Sequence, residues 1–231
     1  MRTALIVAAV AVIVAAPVKS ADRNYSVTDF NRVRVQGPYA VTMVTGVAPF
    51  ARASGGQAGL DRVNVAVEGQ TLVIQSSRSS GSGGDDRRSA GPVTIAIGTH
   101  DLQQAIVSGS GSLSIDRARG QKLVLGASGA ASLSLASADV DTLDVTQLGD
   151  GSVKLGGRAN VVVARVSGTG EFDSSGLKVA DLTLGVAGSA SAHAAATDKA
   201  AITASGSATV AIDGKAACTV KANGSATVSG C

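Results

Sequence analysis

The sequence predicts an all-β chain: a single β-solenoid, wound as a right-handed parallel β-helix with coils of about 18–20 residues. Three observations carry this expectation. A glycine recurs at nearly constant spacing, apolar side chains alternate with a period of two on either side of it, and the composition disfavours helices. Glycine is 29 of 231 residues, and aromatic residues make up only 2% while 45% are hydrophobic. Long amphipathic helices do not form readily from so much Gly, Ser, Thr and Val. Wholesale disorder is excluded by the low charge and high aliphatic content.

The N-terminus reads as a secretory signal peptide over residues 1–20. Arg2 provides the positive start, Ala4 to Ala16 is an unbroken apolar run, and after Pro17 come Val18 and Ser20 at the −3 and −1 positions of a cleavage site. The apolar run is too short for a spanning helix, which needs about 18 residues or more, so no transmembrane segment is expected in the mature chain. No Cys near the cleavage point offers a lipoprotein anchor. Loss of Arg2 and Lys19 leaves 18 basic and 17 acidic residues, so the net charge falls from +3 to +1. With neither excess charge nor a basic cluster interleaved with aromatics, nucleic acid is not an expected partner.

Residues 21–231 are expected to form one β-helix domain. Its first part is strand-like but irregular. Val33 and Val35 alternate, as do Tyr39, Val41 and Met43; Val63, Val65 and Val67 follow, then Leu72 and Ile74, then Val93, Ile95 and Ile97. These strands are read as wider initial coils of the same body. Residues 76–91 (SSRSSGSGGDDRRSAG) interrupt them as a low-complexity polar loop expected to be mobile.

From residue 103 the repeat is regular. Its central glycines are Gly109, Gly129, Gly149, Gly168, Gly188, Gly206 and Gly224, with steps of 20, 20, 19, 20, 18 and 18 residues. Four positions before each glycine stand Ala105, Leu125, Val145, Ala164, Leu184, Ile202 and Val220; four after it stand Leu113, Leu133, Val153, Phe172, Ala192, Val210 and Val228. Even positions are mostly apolar or small and most odd positions are polar, the signature of extended strands with one buried face. Position +2 is always Gly or Ala, which is read as a bend where no large side chain fits. Polar connectors such as Asp116–Gly120 and Asp213–Ala216 are read as turns. A leucine-rich repeat lacks support because its Leu/Asn pattern is absent, calcium-binding rolls need acids that are missing here, and a sandwich has no constant coil length.

Both cysteines, Cys218 and Cys231, lie near the C-terminus. In an exported protein an even number fits one disulfide, and a loop of this size gives about 3 kcal/mol in the chain-entropy model. Together with the Ala-rich last coils it suggests a narrowing, closed C-terminal cap.

The segment from Phe30 to Tyr39 (FNRVRVQGPY), followed by Val41, Leu72-Val73-Ile74, Val93-Thr94-Ile95, Leu102 and Val107-Ser108-Gly109-Ser110-Gly111, resembles the bacterial auto-transporter adhesin head GIN domain family. The resemblance covers nearly all of residues 28–231. It implies an exported parallel β-helix and, through the family's name, adhesion; it supplies no catalytic residues. A membrane-barrel translocator is not expected, because soluble repeats with almost no aromatic belt fill the chain after residue 109.

Chemistry is sparse. Gly109-Ser110-Gly111 and its relatives are explained by the bend, without the strand-to-helix elbow of a nucleophilic serine. His100 and His193 have no metal-ligand spacing; His193 is expected on an outer face and His100 in a turn. No metal, cofactor or catalytic residue is expected. Asp139, Asp141, Asp144 and Asp150 fall close together, and Glu171 and Asp173 occur at +3 and +5 of a later unit, but no acidic column recurs. The regular exposed feature is position +3: Ser112, Ser132, Ser152, Glu171, Ser191, Thr209 and Thr227, six of seven hydroxylic. The expected function is a non-enzymatic binding or structural protein of the periplasm or cell surface, adhesin-like, contacting glycan or another envelope protein along this strip. The alternative is a polysaccharide hydrolase or lyase using outward carboxylates, with Asp144 and Asp150 as the pair to mutate. The inward/outward assignment is directly testable. Leu125→Asp or Leu133→Asp is expected to unfold the rod, and Ser132→Asp to be tolerated, in thermal melts followed by circular dichroism; equal tolerance contradicts the assignment.

Overall fold

In the computed structural model, which describes residues 21–77 and 92–231, every central glycine of the repeat stands at a corner with positive φ. The values are +100° at Gly109, +81° at Gly129, +106° at Gly149 and +99° at Gly188, a region that favours glycine. The corners are stacked in register, Gly109 on Gly129 on Gly149 and so on to Gly224. The carbonyls of Gly129, Gly149, Gly168, Gly188 and Gly206 accept a hydrogen bond from the next coil: Asp150 N–H donates to Gly129 O at 3.0 Å, Ser189 N–H to Gly168 O at 2.9 Å and Ser207 N–H to Gly188 O at 2.8 Å. A Cβ on Gly149 would sit 2.7 Å from Gly129 O, and one on Gly206 would sit 2.5 Å from Gly188 O. Glycine is therefore demanded twice, by conformation and by approach.

Strands leave each corner on both sides. β8 (Gln104–Gly109), β9 (Ser112–Gly129), β10 (Ser132–Gly149), β11 (Ser152–Gly168) and β12 (Glu171–Gly188) pair in parallel, coil upon coil. Their even positions form the core: Leu113, Leu125, Leu133, Val145, Phe172 and Leu184 are all buried. The small +2 residues Gly111, Ala131, Gly151 and Ala190 are buried inside the bend, as expected.

The connectors require a correction. Asp116–Gly120 is not a turn but part of β9: Arg117 pairs with Ser137 and Ala118 with Ala138, and both alanines are buried. A third inward-facing run thus exists in the longer coils, and alanine hides it from an alternation count because neither its size nor its polarity stands out. The turn reading holds only in the 18-residue coils. There β13 (Ser191–Ala196) and β14 (Lys199–Gly206) are separated by Thr197-Asp198, and β15 (Thr209–Gly214) and β16 (Ala217–Gly224) by Lys215-Ala216.

The N-terminal strands also depart from a simple sequential winding. β2 (Arg32–Gln36) and β3 (Ala40–Thr45) form a coil whose corner is Gly37, φ +118°, directly beneath Gly109. Yet β2 lies between β8 on one side and β6 (Thr71–Ser76) on the other, while β7 (Val93–Thr99) pairs with β3. The chain starts one coil in, winds outward to the end, then crosses back at β8. β1 (Ala21–Tyr25), β4 (Phe50–Gly55) and β5 (Val63–Glu68) run antiparallel to their partners and cover this end. The short helix α1 (Gln57–Leu60) joins them and buries Leu60. The expected initial coils are therefore partly an antiparallel cap, which blocks edge-to-edge pairing.

In the outermost coil β6 ends at Ser76 and β7 begins at Val93. Ser76 itself closes β6, which trims the expected 76–91 loop; residues 78–91 and the expected signal at 1–20 lie outside the described residues. Tyr39, a large residue at a +2 position, meets the end of β6: its hydroxyl lies 2.9 Å from Ser76 Oγ.

At the other end Cys218 and Cys231 are bonded, with Cα atoms 5.7 Å apart, tying the start of β16 to the second residue after β17 (Thr227–Ser229). The expected closed cap is not formed by side chains: Val220, an inward position, is 41% exposed because no further coil covers it. The disulfide holds the last coil in place of a neighbour. Urea melts should separate the two demands on glycine. Gly149→Ala is expected to cost about 2 kcal/mol or more, from φ and the Gly129 carbonyl together. Gly46→Ala, at φ +76° with nothing within 4 Å of a new Cβ, should lose only about 1 kcal/mol. Equal losses contradict stacking as the constraint.

Candidate functional site

The outward side chains of β9–β13, β15 and β17 build one continuous strip. Ser112, Ser132, Ser152, Glu171, Ser191, Thr209 and Thr227 are direct register partners from coil to coil. Parallel pairing without slippage on this side puts the hydroxyls in a single column. Within it Ser152 Oγ donates to Ser132 Oγ at 3.1 Å. Every member from Glu171 onward is exposed.

A second column runs beside it: Ser114, Ser134, Lys154, Asp173, His193 and Ala211. Lys154 Nζ lies 3.6 Å from Asp173, and His193 Nε2 lies 2.8 Å from Asp213. Asp173 accepts hydrogen bonds from the Ser175 hydroxyl at 2.6 Å and its N–H at 3.0 Å. The hydroxyl bond first, then the N–H and Lys154, outweigh desolvation and lower its pKa. The face is a hydroxyl strip bordered by paired charges. Sequence spacing placed His193 on the outer face but missed Asp213, because the two meet diagonally across coils.

The carboxylates singled out by sequence are dispersed. Asp144 pairs with Lys122 at 2.8 Å on the opposite side of the corner, and Asp150 accepts from the Thr169 hydroxyl. From Asp144 to the end of β10 is already about 16 Å of extended strand, beyond the roughly 5–10 Å that paired acids need across a glycosidic bond. The structure does not bring them together. Asp141 accepts from Asn160 Nδ2 at 2.9 Å. His100 lies 3.2 Å from Asp29, far along the rod from His193. Among the described residues no three His, Cys, Asp or Glu side chains gather as a metal site, and no helix is long and apolar enough to cross a membrane.

One buried polar side chain was not foreseen. Gln147 occupies an inward position where its counterparts are aliphatic, and its Nε2 donates to Gly151 O at 2.7 Å and Glu171 O at 3.1 Å. Glycine at 170, rather than alanine, leaves it room.

Asp139 stands between two guanidinium groups, 2.7 Å from Arg158 Nε and 4.0 Å from Arg119 Nε. The hydrogen bond from Arg158 is the main cause that holds its carboxyl below the usual range. Because the folded value is depressed, the pair stabilises the protein above the unfolded carboxylate pKa, and that contribution is lost as pH falls through the folded value. An NMR titration is expected to give Asp139 a midpoint below about 3.9, rising in Arg158→Ala. A midpoint insensitive to Arg158→Ala contradicts the assignment.

Comparison with known proteins places this geometry. A profile of the family described as "Putative auto-transporter adhesin, head GIN domain" matches residues 29–216. No functionally curated protein matches the chain in sequence. Among solved structures, a "putative adhesin" from Bacteroides fragilis superposes with a TM-score of 0.82 at 19% identity, over 91% of this chain and 96% of that one. A "putative lipid binding protein" from Parabacteroides distasonis gives 0.72 at 16% identity, over 90% and 95%. A "putative adhesin" from Parabacteroides merdae gives 0.65 at 16%, over 91% and 95%. At these identities the structures share the fold, while the profile match extends over most of the sequence. The chain belongs to the auto-transporter adhesin head GIN domain family.

Proposed function

We propose that this protein is exported and acts at the cell surface as a non-enzymatic, adhesin-like binding protein, contacting glycan or another envelope component through its hydroxyl strip. The observation that carries this reading is the in-register column from Ser112 to Thr227, presented on a stiff parallel stack. Hydroxyls both donate and accept hydrogen bonds, as sugar hydroxyls do, and a repeated spacing suits a repeated ligand. Membership of an adhesin family supports the same reading. Export is supported by the apolar run after Arg2 and by the Cys218–Cys231 disulfide, a bond that persists in oxidising compartments. The dispersed carboxylates, each with its own partner, give the polysaccharide-cleaving alternative no support.

Labelling intact cells with a membrane-impermeant biotin reagent tests the reading. Modification of the protein on intact cells is expected, together with weaker surface binding by Ser152→Trp, which blocks the middle of the strip. Protection until the outer membrane is opened contradicts a surface adhesin, and unchanged binding by Ser152→Trp contradicts the strip.

A further inference from the structure

A groove of about 570 Å³ opens on the third run of the coils, away from the hydroxyl strip. Its origin lies in the single 19-residue step of the repeat. β11 is one residue short there: pairing with β10 slips between Leu135 and Ala138, and pairing with β12 slips between Lys154 and Gly156. The residue opposite Ala138 is Gly157, with φ +108° and its Cα face against the Ala138 backbone. The missing residue makes a hollow in an otherwise even surface, beside a glycine whose close approach to the Ala138 backbone admits no Cβ.

Four cations surround it. Arg119, Arg158 and Lys178 belong to one register column, interrupted by Asp139, and Arg117 stands beside Arg119. Two carboxylates are present, and both are engaged. Asp116 accepts from the Thr45 N–H at 3.0 Å and the Arg117 N–H at 2.6 Å; Asp139 accepts from Arg158. The lining therefore carries two positive charges in excess. Arg119 and Arg158 remain 72% and 74% exposed, with the outer forks of their guanidinium groups open to solvent. Lys178 is exposed and forms no ion pair among the described residues.

We propose that this groove binds a linear acidic glycan, its carboxylate or sulfate groups held by Arg119, Arg158 and Lys178. Arginine forks suit such planar or tetrahedral anions. The column runs along the direction in which coils stack, so Arg119 and Lys178 are about 14 Å apart at the spacing of parallel strands. That extent matches a polymer with repeated charges rather than one small ion. No aromatic side chain lines the groove to stack a base. Ala138 is the lone aliphatic member of the lining, which leaves nothing to insert into a bilayer. The inference rests on the adhesin reading for its setting, an envelope or matrix polymer, but uses a different surface.

The oxidised full chain should be tested by biolayer interferometry against polygalacturonate, dextran sulfate, neutral dextran and phosphatidylglycerol vesicles, at low and high salt. At least one acidic polymer is expected to bind and dextran not to, with affinity falling as salt rises. Arg119→Glu/Arg158→Glu should weaken binding about tenfold or more. That pair leaves Asp139 without its partners, so Lys178→Glu, which breaks no ion pair, serves as the second variant and should weaken binding severalfold. Arg165→Glu, outside the groove, should bind like the wild type. Wild-type binding by Lys178→Glu and the double variant, dextran binding equal to that of the acidic polymers, or failure of both acidic polymers to bind overturns the proposal. So does vesicle binding of equal strength with the same sensitivity, or displacement of the polymer by equimolar inorganic phosphate. If neither acidic polymer binds but surface labelling succeeds, the groove assignment falls and the adhesin reading stands. Groove-dependent binding by a protein shielded in intact cells gives the reverse.

Discussion

The hydrogen bond to a corner glycine carbonyl from the coil that follows, made from Gly129 through Gly206 at corners that admit no Cβ, is the interaction on which the rest of the molecule depends. Gly129 O receives Asp150 N–H, Gly168 O receives Ser189 N–H and Gly188 O receives Ser207 N–H. The bond forms only if the glycine adopts positive φ and the next glycine lies directly above. It therefore fixes the turn of the chain and the register of the stack at once. With the corners pinned, a period of two on the adjoining strands sends even positions inward and odd positions outward in every coil. The outward columns follow without any interaction of their own.

Departures from the corner rule are local and have identifiable causes. Tyr39 stands where Gly or Ala is otherwise found, with its hydroxyl bonded to Ser76 at the end of β6. Gln147 is tolerated in the core because Gly170 vacates the space that its amide fills and Gly151 O accepts its hydrogen bond. One deleted residue in β11 opens the cationic groove without disturbing the corners, since Gly149 and Gly168 still pair. Function can thus vary between corners while the corners hold the fold. Both ends need separate solutions: antiparallel strands at one, and a disulfide around the half-exposed last coil at the other.

Much of this was legible in the sequence. The seven glycines, the buried even positions and the hydroxyl column are all local in sequence, and stacking preserved them as read. What escaped depends on contacts between distant segments. Nothing in residues 32–45 alone shows that this coil sits inside the one formed by 71–99, because strand order is set by which open edge a later segment finds. The third inward run escaped because Ala118 and Ala138 are too small to mark a buried face. The groove had a signal, the 19-residue step, but a shorter coil does not by itself say which residue is missing. His193 and Asp213, or Asp139 and Arg158, meet only once the register is known, so the charges looked unpartnered in a linear reading.

The central claim is that identical corners stack identical coils, so that one outward position forms a straight column along the rod. Pulsed electron-spin distance measurements between labels at Ser112→Cys and, in turn, Ser152→Cys, Ser191→Cys and Thr227→Cys, with the native disulfide intact, test it most directly. The distances are expected to grow linearly by about 4.8 Å per coil, reaching roughly 29 Å between positions 112 and 227. Distances that do not increase with coil number, or that plateau beyond position 152, would contradict a single in-register stack.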